Sequence, residues 1–199
     1  MGSPERVAGL VLAAGGGRRL GGRAKALLNH RGRPLVERAD AVLREGGCAP
    51  VHIVVGASAD KVRERARLTG SLLVDNPDWE SGMGSSLRAG LVSLRGVEAS
   101  ALVVMLVDQP RIGSGVVARL IAAHRAGADL VAASYGGERG HPVLVAARYW
   151  DEVADSARGD RGARDFLLAH ARDLALVECS DIAAPDDVDT PDALTLLEG

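Results

Sequence analysis

The sequence predicts one α/β domain in which helices cover both faces of a mostly parallel β-sheet, a three-layer α/β/α arrangement. Two observations carry this prediction. Short apolar runs typical of buried strands alternate with segments whose apolar residues recur at helical spacing. Hydrophobic residues also make up 47% of the 199-residue chain, enough for a sizeable core. Because no segment has the composition of a linker or a repeat, we expect a single domain over residues 1–199.

The first half of the chain begins with a continuous apolar run at 7–13. A glycine cluster follows it, and this pattern is typical of a strand buried on both faces. A helix with one apolar face is then predicted, with Pro34 as its first residue and Gly46–Gly47 as its stop. The further elements predicted here are a strand at 51–55, a charged helix at 60–68, a strand at 71–74, a helix at 85–94 and a strand at 101–107.

The second half begins from the strand at 101–107, which is the most apolar in the chain and which we place at the centre of the sheet. The second half of the chain ends with a predicted helix at 191–197, which has Thr190 as its N-cap and Pro191 as its first residue. Between them we expect a helix at 114–126, a strand at 130–134, a turn at 136–140, a hairpin strand at 141–146, helices around 147–153 and 163–171, and a strand at 174–179.

Composition and charge exclude several classes of protein. A net charge of −2 gives no basic surplus for nucleic acid. No apolar run reaches the length of a membrane span, and the charged N-terminus has no signal segment. Cys48 and Cys179 have no CxxC spacing, so we expect reduced, buried thiols and no zinc site. These observations predict a cytoplasmic protein without a nucleic-acid or membrane partner.

The stretch LVLAAGGGRRLGGRAKALL at 10–28 places glycines where the first strand ends, so that backbone N–H groups can approach a polyphosphate. Arg18, Arg19 and Lys25 add positive charge. The stretch is not a P-loop, because alanines flank Lys25, and it lacks the third glycine of a dinucleotide fingerprint, whose position is taken by Leu20. The alternative to a polyphosphate site is a mobile, solvated surface loop.

Six segments, in order along nearly the whole chain, resemble the MobA-like nucleotidyltransferases, in the branch of the molybdenum-cofactor cytidylyltransferases. They read LAAGGGRRLGGRAKALLNHRGRPLVERA, NPDWESGMGSSLRAGL, VVMLVDQPRI, RGHPVLV, GDRGAR and DVDTPDAL. The resemblance implies a Rossmann-like fold of the nucleotide-diphospho-sugar-transferase type. The sequence departs from the family pattern at Asn29–His30, where the family usually has Leu-Pro. This departure affects which contacts with the base or the substrate can be inferred from the resemblance.

The resemblance also implies the reaction, which is transfer of a nucleoside monophosphate to a phosphate-bearing acceptor with release of pyrophosphate. Ala13–Ala14 favours CTP as the donor, since relatives that transfer GMP tend to have glycine there. Molybdopterin or its molybdenum form is the implied acceptor, and a molybdoenzyme the possible recipient of the product. Since the attacking group is already an anion, positioning and charge stabilisation carry most of the catalysis.

Asp108 is the first metal candidate, because it follows the central strand, where a carboxylate can hold Mg²⁺ with phosphate oxygens and waters. Asp189 is the second, because the resemblance implies that its segment lies near the metal. The alternatives are that Asp108 simply begins a turn and that Asp189 belongs to an ordinary helix start. Arg19, Lys25 and Asp108 are the implied catalytic residues. The implied nucleotide-binding residues are Leu12, Ala13, Ala14, Gly15, Gly16, Gly17, Arg18, Lys25, Asn76, Gly82, Ser86 and Asp108.

Gln109, Gly140 and His141 are the implied contacts to the acceptor, with a structural role as the alternative for His141. Arg161 and Arg164 either add charge there or begin a solvated helix. Trp79 is expected to pack a loop rather than stack on a base, and serine at the start of the 85–94 helix is either a plain N-cap or a ligand contact.

Three other functions remain open from the sequence. The acceptor could be a sugar phosphate or another small phosphate. The chain could be an NAD(P)-dependent oxidoreductase on a related α/β sheet, although the second strand ends without the expected carboxylate. It could also be a nucleotide-binding protein without catalytic activity that delivers a cofactor to another enzyme.

Overall fold

The computed structural model describes residues 6–198; residues 1–5 and 199, which include most of the N-terminal segment considered above, lie outside this range. The α/β fold class is confirmed, with one seven-stranded sheet between helices. The strands are β1 Val7–Leu12, β2 Asn29–His30, β3 Arg33–Pro34, β4 Cys48–Val55, β5 Leu72–Asp75, β6 Ala101–Leu106, β7 Leu130–Tyr135, β8 Glu138–Ala146 and β9 Leu174–Glu178. The α-helices are α1 Leu35–Glu45, α2 Ala59–Arg65, α3 Met83–Ser93, α4 Ser114–Arg125, α5 Trp150–Ser156 and α6 Arg164–Ala169.

The strands of the main sheet lie in the order β5-β4-β1-β6-β8-β7-β9, while β2 and β3 form a separate two-stranded ribbon. Within the described sheet β8 is antiparallel to its neighbours, and the other pairings are parallel. The prediction that the apolar strand is central is confirmed, since β6 occupies the middle position. The chain moves outward from β1 through β4 to β5 and then returns to the other side of β1 as β6. A ligand crevice is expected at this reversal of strand order, at the carboxyl ends of β1 and β6.

Two apolar clusters pack on opposite faces of the sheet. Along β1, Val7 and Val11 belong to the cluster that contains α1 and α4, whereas Leu10 belongs to the cluster that contains α3. This alternation follows the period of two along a strand. All six residues of β1 are buried, so the strand that leads to the glycine loop is rigidly fixed.

Several element boundaries differ from the predictions. Pro34 is the N-cap of α1 rather than its first residue, because its extended backbone belongs to β3. The second strand of the sheet begins at Cys48 rather than at residue 51, and its pairing with β1 is irregular between Val7 and Gly9, where Pro50 is accommodated. The helix predicted at 60–68 ends at Arg65, because Ala66 is extended. The segment at 147–153 begins as the 3₁₀ turn Ala147–Tyr149 before α5, and the helix predicted at 163–171 is limited to α6.

The predicted hairpin and C-terminal helix need larger corrections. β8 begins at Glu138, so the turn is confined to Gly136–Gly137. The C-terminal segment forms the 3₁₀ helix Asp192–Leu197, with Pro191 in the N-cap position and no side-chain cap from Thr190. The two cysteines are free and buried, as predicted. Among residues 6–198, the structure contains no helix that combines the length and the apolar character required for crossing a bilayer.

Candidate active site

A cleft of about 500 Å³ opens at the carboxyl ends of β1 and β6, where the strand order reverses. Most of the residues proposed from the sequence line it. They are Leu12, Ala13, Ala14, Gly15, Gly16, Gly17, Arg18, Arg19, Lys25, Gly82, Ser86, Asp108 and Asp189. The structure therefore brings together distant segments, and Lys25 contacts Asp189 across a sequence separation of 164 positions.

The floor of the cleft is the glycine loop that follows β1. Ala13 continues the sheet by donating its N–H to the carbonyl of Val54, 2.9 Å away. Gly17 then turns the chain with a positive φ of 62°, and a Cβ there would lie 1.9 Å from the carbonyl oxygen of Arg23. Only glycine fits this turn. Gly15 is exposed, with no atom within 4 Å of the place where its Cβ would be, so its backbone is open to a ligand.

Lys25 lies between two carboxylates at the centre of the cleft. Its Nζ donates to Asp108 Oδ2 at 2.8 Å and also to Asp189 Oδ1. Burial lowers the pKa of Lys25, but the two carboxylates more than offset this effect, and the net result is a raised pKa. The ammonium is thus firmly charged. By contrast, Arg19 is 76% exposed and reaches Asp189 only at 3.6 Å, a surface ion pair of small stability.

The C-terminal segment carries Asp189 into the cleft by docking on the loop that follows β6. The N–H of Val188 donates to the carbonyl of Asp108 at 2.8 Å, and Val188 is fully buried. Next to it, Gln109 Nε2 donates to Asp187 Oδ1 at 2.7 Å. Burial, followed by the charges of Asp108 and Asp189, raises the pKa of Asp187 against the opposing effects of Gln109 and Lys25.

The opposite wall is the start of α3, which begins at Met83 with Gly82 as its N-cap, two residues before the predicted start. Gly82 has a φ of 107°, and a Cβ there would lie 2.4 Å from the backbone of Gly159, so glycine is required. Asn76 is not on the surface of the cleft. It is buried behind Ser86, and its amide donates to the hydroxyls of Ser85 and Ser86 at 2.8 and 3.0 Å.

The predicted contacts to the acceptor do not line the cleft. Gln109 is buried beside it, with its Oε1 lacking a hydrogen-bond partner. Gly140 and His141 lie within β8 rather than on a loop. Burial, followed by the charge of Arg139, lowers the pKa of His141 to about 4, so this imidazole is neutral near pH 7.

Sequence reasoning missed some residues of the cleft and placed others differently. Trp79 packs over Gly16, as expected for a loop residue, but it also lines the cleft. From the segment GDRGAR the residue that reaches the cleft is Asp160, whereas Arg161 pairs with Asp165 at the surface. The occurrence of Trp79 as one of only two tryptophans was the available signal. The other missed lining residues are Glu80, Met83, Leu106 and Val107.

The donor set suits a divalent cation that arrives with a phosphate ligand. Among the described residues, no cluster of three or more His, Cys, Asp or Glu side chains is arranged to hold a metal ion. Asp108 and Asp189 do converge, however, on one cation, the Lys25 ammonium. Mg²⁺ typically takes one or two protein carboxylates and completes its shell with phosphate oxygens and waters. The two carboxylates therefore fit such an ion when Lys25 turns toward a phosphate.

Comparison with known proteins identifies the family to which the chain is similar. The sequence profile of the MobA-like NTP transferase domain matches residues 9–174. A curated relative, the nicotine blue oxidoreductase of Paenarthrobacter nicotinovorans, is 42% identical over 190 residues, which cover 92% of each chain. The molybdenum cofactor guanylyltransferase of Rhodobacter capsulatus is 40% identical over 114 residues, 56% of each chain.

A solved structure resembles the whole fold. The manganese complex of Rv0371C from Mycobacterium tuberculosis H37Rv has a TM-score of 0.79 and 28% identity, and the match covers 98% of this chain and 99% of that one. The profile match spans the glycine loop, Lys25 and Asp108, and extends through most of the sheet. This chain therefore belongs to the family of the MobA-like NTP transferase domain.

Proposed function

We propose that this member of a nucleotidyltransferase family transfers CMP from CTP to a phosphate-bearing acceptor, molybdopterin or its molybdenum form, in the presence of Mg²⁺. The observation that supports this most directly is the position of Lys25. Its ammonium lies between Asp108 and Asp189, beside the open backbone of Gly15. A triphosphate on the glycine loop would meet a cation and two carboxylates at the same point.

In the proposed reaction an oxygen of the acceptor phosphate attacks the α-phosphorus of the nucleotide. The bond from this phosphorus to the β-phosphate oxygen breaks, and pyrophosphate leaves with the bonding electrons. Lys25 leaves its carboxylates and donates hydrogen bonds to the β- and γ-phosphates, with Arg18 and Arg19 adding charge. Bound Mg²⁺ would supply further neutralisation of the phosphate oxygens, held by Asp108 and Asp189.

The charge balance of the cleft supports this division of roles. Three cationic side chains, Arg18, Arg19 and Lys25, line it together with four carboxylates. The carboxylates alone would repel a triphosphate, and a metal ion between the two sets of anions removes that repulsion. The carboxylates of the cleft are Glu80, Asp108, Asp160 and Asp189.

The choice of CTP is based on Ala13–Ala14, which lie buried at the base of the cleft. The guanylyltransferase of Rhodobacter capsulatus makes GTP the competing donor. Molybdopterin is proposed as the acceptor from the family resemblance, and a molybdoenzyme in the cytoplasm as the recipient of the product.

The function is tested by incubating the chain with each of the four nucleoside triphosphates, Mg²⁺ and molybdopterin, and measuring pyrophosphate. We expect release with CTP that requires both the acceptor and the metal. The Asp108→Asn variant should lose at least about 100-fold in rate while its circular dichroism is unchanged. The Asp165→Asn variant, which alters an exposed carboxylate outside the cleft, serves as the control. Full activity of Asp108→Asn would contradict the assigned metal site.

A second candidate is an oxidoreductase, because the relative named nicotine blue oxidoreductase matches 92% of the chain. A nicotinamide dinucleotide would place its pyrophosphate over the same glycine loop. The two buried cysteines offer no redox group, since burial raises the pKa of Cys48 to about 12 and also raises that of Cys179. The two candidates are distinguished by anaerobic incubation of the chain with nicotine blue and NADH or NADPH, followed at the absorbance of the dye. Reduction of the dye by a sample that releases no pyrophosphate in the first assay would favour the oxidoreductase.

A further inference from the structure

A second cavity, of about 510 Å³, lies apart from the cleft, and no residue lines both. We call it the arginine pocket, after its lining residues Arg31, Arg38 and Arg111, which surround it together with His30. No Asp or Glu is among the lining residues, although the whole chain carries a net charge of −2. The positive charges of these side chains favour an anion in the cavity.

The three guanidinium groups are brought together from different elements. Arg31 lies on the ribbon turn, with a positive φ of 51°, Arg38 is on α1, and Arg111 follows β6. Arg38 is half-buried. Burial lowers its pKa and the charge of Arg31 lowers it further, while Glu45 raises it in part. Arg111 also pairs with Asp186 at 3.0 Å, and both of these side chains are exposed.

His30 provides a second, independent observation. It lines the pocket and is only 7% exposed, yet its Nδ1 has no hydrogen-bond partner. Buried polar atoms in folded proteins are nearly always hydrogen-bonded, so an orphaned nitrogen on a cavity wall indicates a missing partner. The pKa of His30 is lowered and its other ring nitrogen donates to the carbonyl of Leu197, so Nδ1 is a hydrogen-bond acceptor. A ligand with an O–H group beside its anionic groups, such as a monohydrogen phosphate, would donate to this nitrogen and offset the charge of the arginines.

We propose that the arginine pocket binds a small molecule with two or more anionic groups, phosphate or carboxylate, separately from the nucleotide in the cleft. Its volume is within the range of small-molecule sites. Arginine is the side chain best suited to bidentate hydrogen bonding with either a phosphate or a carboxylate. The proposal does not depend on the reaction proposed above, because it rests on different residues.

The pocket is nevertheless close to the cleft along the chain. The loop after β6 contributes Asp108 to the cleft and Pro110 and Arg111 to the pocket. Similarly, Lys25 lies only a few residues before His30, which belongs to the ribbon of β2 and β3. A ligand in the pocket thus contacts segments that also carry the central residues of the cleft.

The test uses the full chain without metal and measures binding by titration calorimetry, with inorganic pyrophosphate, phosphate and citrate as separate probes. The Lys25→Met variant is used as background, because its cleft retains carboxylates that repel anions. We expect pyrophosphate or citrate to bind this variant, the first indicating a phosphate ligand and the second a carboxylate ligand. Absence of binding by all three probes at millimolar concentration would overturn the proposal.

Two further variants in the same background locate the site. Arg38→Met and Arg111→Met should each weaken binding about tenfold through the loss of a charge-assisted hydrogen bond. Arg63→Met is the matched control, since Arg63 is also an arginine in an ion pair, with Asp75 and Asp60, but lies outside the pocket. This variant should bind as the background does. If Arg38→Met fails to fold by circular dichroism, Arg111→Met decides alone, because Arg111 is exposed. Unchanged binding by the folded pocket variants rejects the assignment.

Discussion

At the scale of single residues, Lys25 has two possible sets of partners, the carboxylates that it contacts here and the phosphates of a nucleotide. Without nucleotide its ammonium occupies the position between Asp108 and Asp189, and we expect it to compete with a metal ion for that position. Lys25→Met should therefore bind Mn²⁺ about tenfold more tightly than the unaltered chain when no nucleotide is present. Electron paramagnetic resonance of free Mn²⁺ measures this directly.

The same variant should bind CTP more weakly, since it lacks a donor to the phosphates. Arg19→Met is the control for the metal measurement, because its exposed, longer ion pair to Asp189 predicts a change within about twofold. Equal Mn²⁺ affinity in Lys25→Met and the unaltered chain would show that the ammonium does not compete.

The glycine loop, Lys25 and Asp108 were predictable at this scale because each directly follows a strand or carries a clear charge. The proximity of Lys25 to Asp189 was not, because it depends on how the C-terminal segment docks through Val188. Asn76 illustrates the reverse case. The family resemblance implied a nucleotide contact for this residue, whereas its amide donates to the hydroxyls of two buried serines.

At the scale of elements, Glu178 at the end of β9 fixes the turn between β7 and β8. Its carboxylate accepts the N–H groups of Gly136 and Gly137, each at 3.0 Å, and a hydrogen bond from Ser134 at 3.1 Å. Hydrogen bonds from Ser180, Gly137 and Gly136 lower the pKa of Glu178 to about 2. A residue on a third strand thus completes a hairpin whose own turn is only two residues long.

Glu178→Gln should loosen this turn, because the amide has one acceptor oxygen where the carboxylate has two. We expect hydrogen exchange at Gly136 and Gly137 to rise about tenfold, while exchange in β1 remains unchanged. The Glu138→Gln variant, in which the altered residue is exposed at the start of β8, is the control. Exchange at the turn that matches this control would contradict the assigned role.

The hairpin and β4 also show where prediction of elements fails. The alternation of strands and helices was sufficient to predict the mostly parallel sheet, because buried parallel strands appear in the sequence as continuous apolar runs. The turn was predicted too long because five residues rich in glycine and charge precede His141, although the strand already begins at Glu138. β4 was predicted too short because Pro50 interrupts its pattern.

At the scale of the whole molecule, stability should fall when the solution is acidified from about pH 7 to about pH 5. Burial lowers the pKa of His30, His52 and His141, the last to about 4. The unfolded chain takes up protons near the ordinary value of about 6.5 and the folded chain resists them. The stabilisation is complete above about pH 6.5 and is lost as the pH falls toward the folded values.

Urea unfolding at several pH values tests this expectation. The His141→Asn variant should lose less stability than the unaltered chain between about pH 7 and pH 5, because one of the three titrating groups is absent. Asp187 acts in the opposite direction, since its pKa is raised, but it is present in both proteins and its contribution cancels in the comparison. Parallel pH curves for the two proteins would show that His141 makes no such contribution.

The docking of Val188 on Asp108 has a consequence for protein synthesis. A ribosome that has translated the first 110 residues has already produced the glycine loop, Lys25 and Asp108, but not the second carboxylate. Chains whose translation stops before Val188 therefore lack both the docking contact and Asp189. An unfinished polypeptide cannot assemble the complete cluster around Lys25, and only chains translated through that point acquire it.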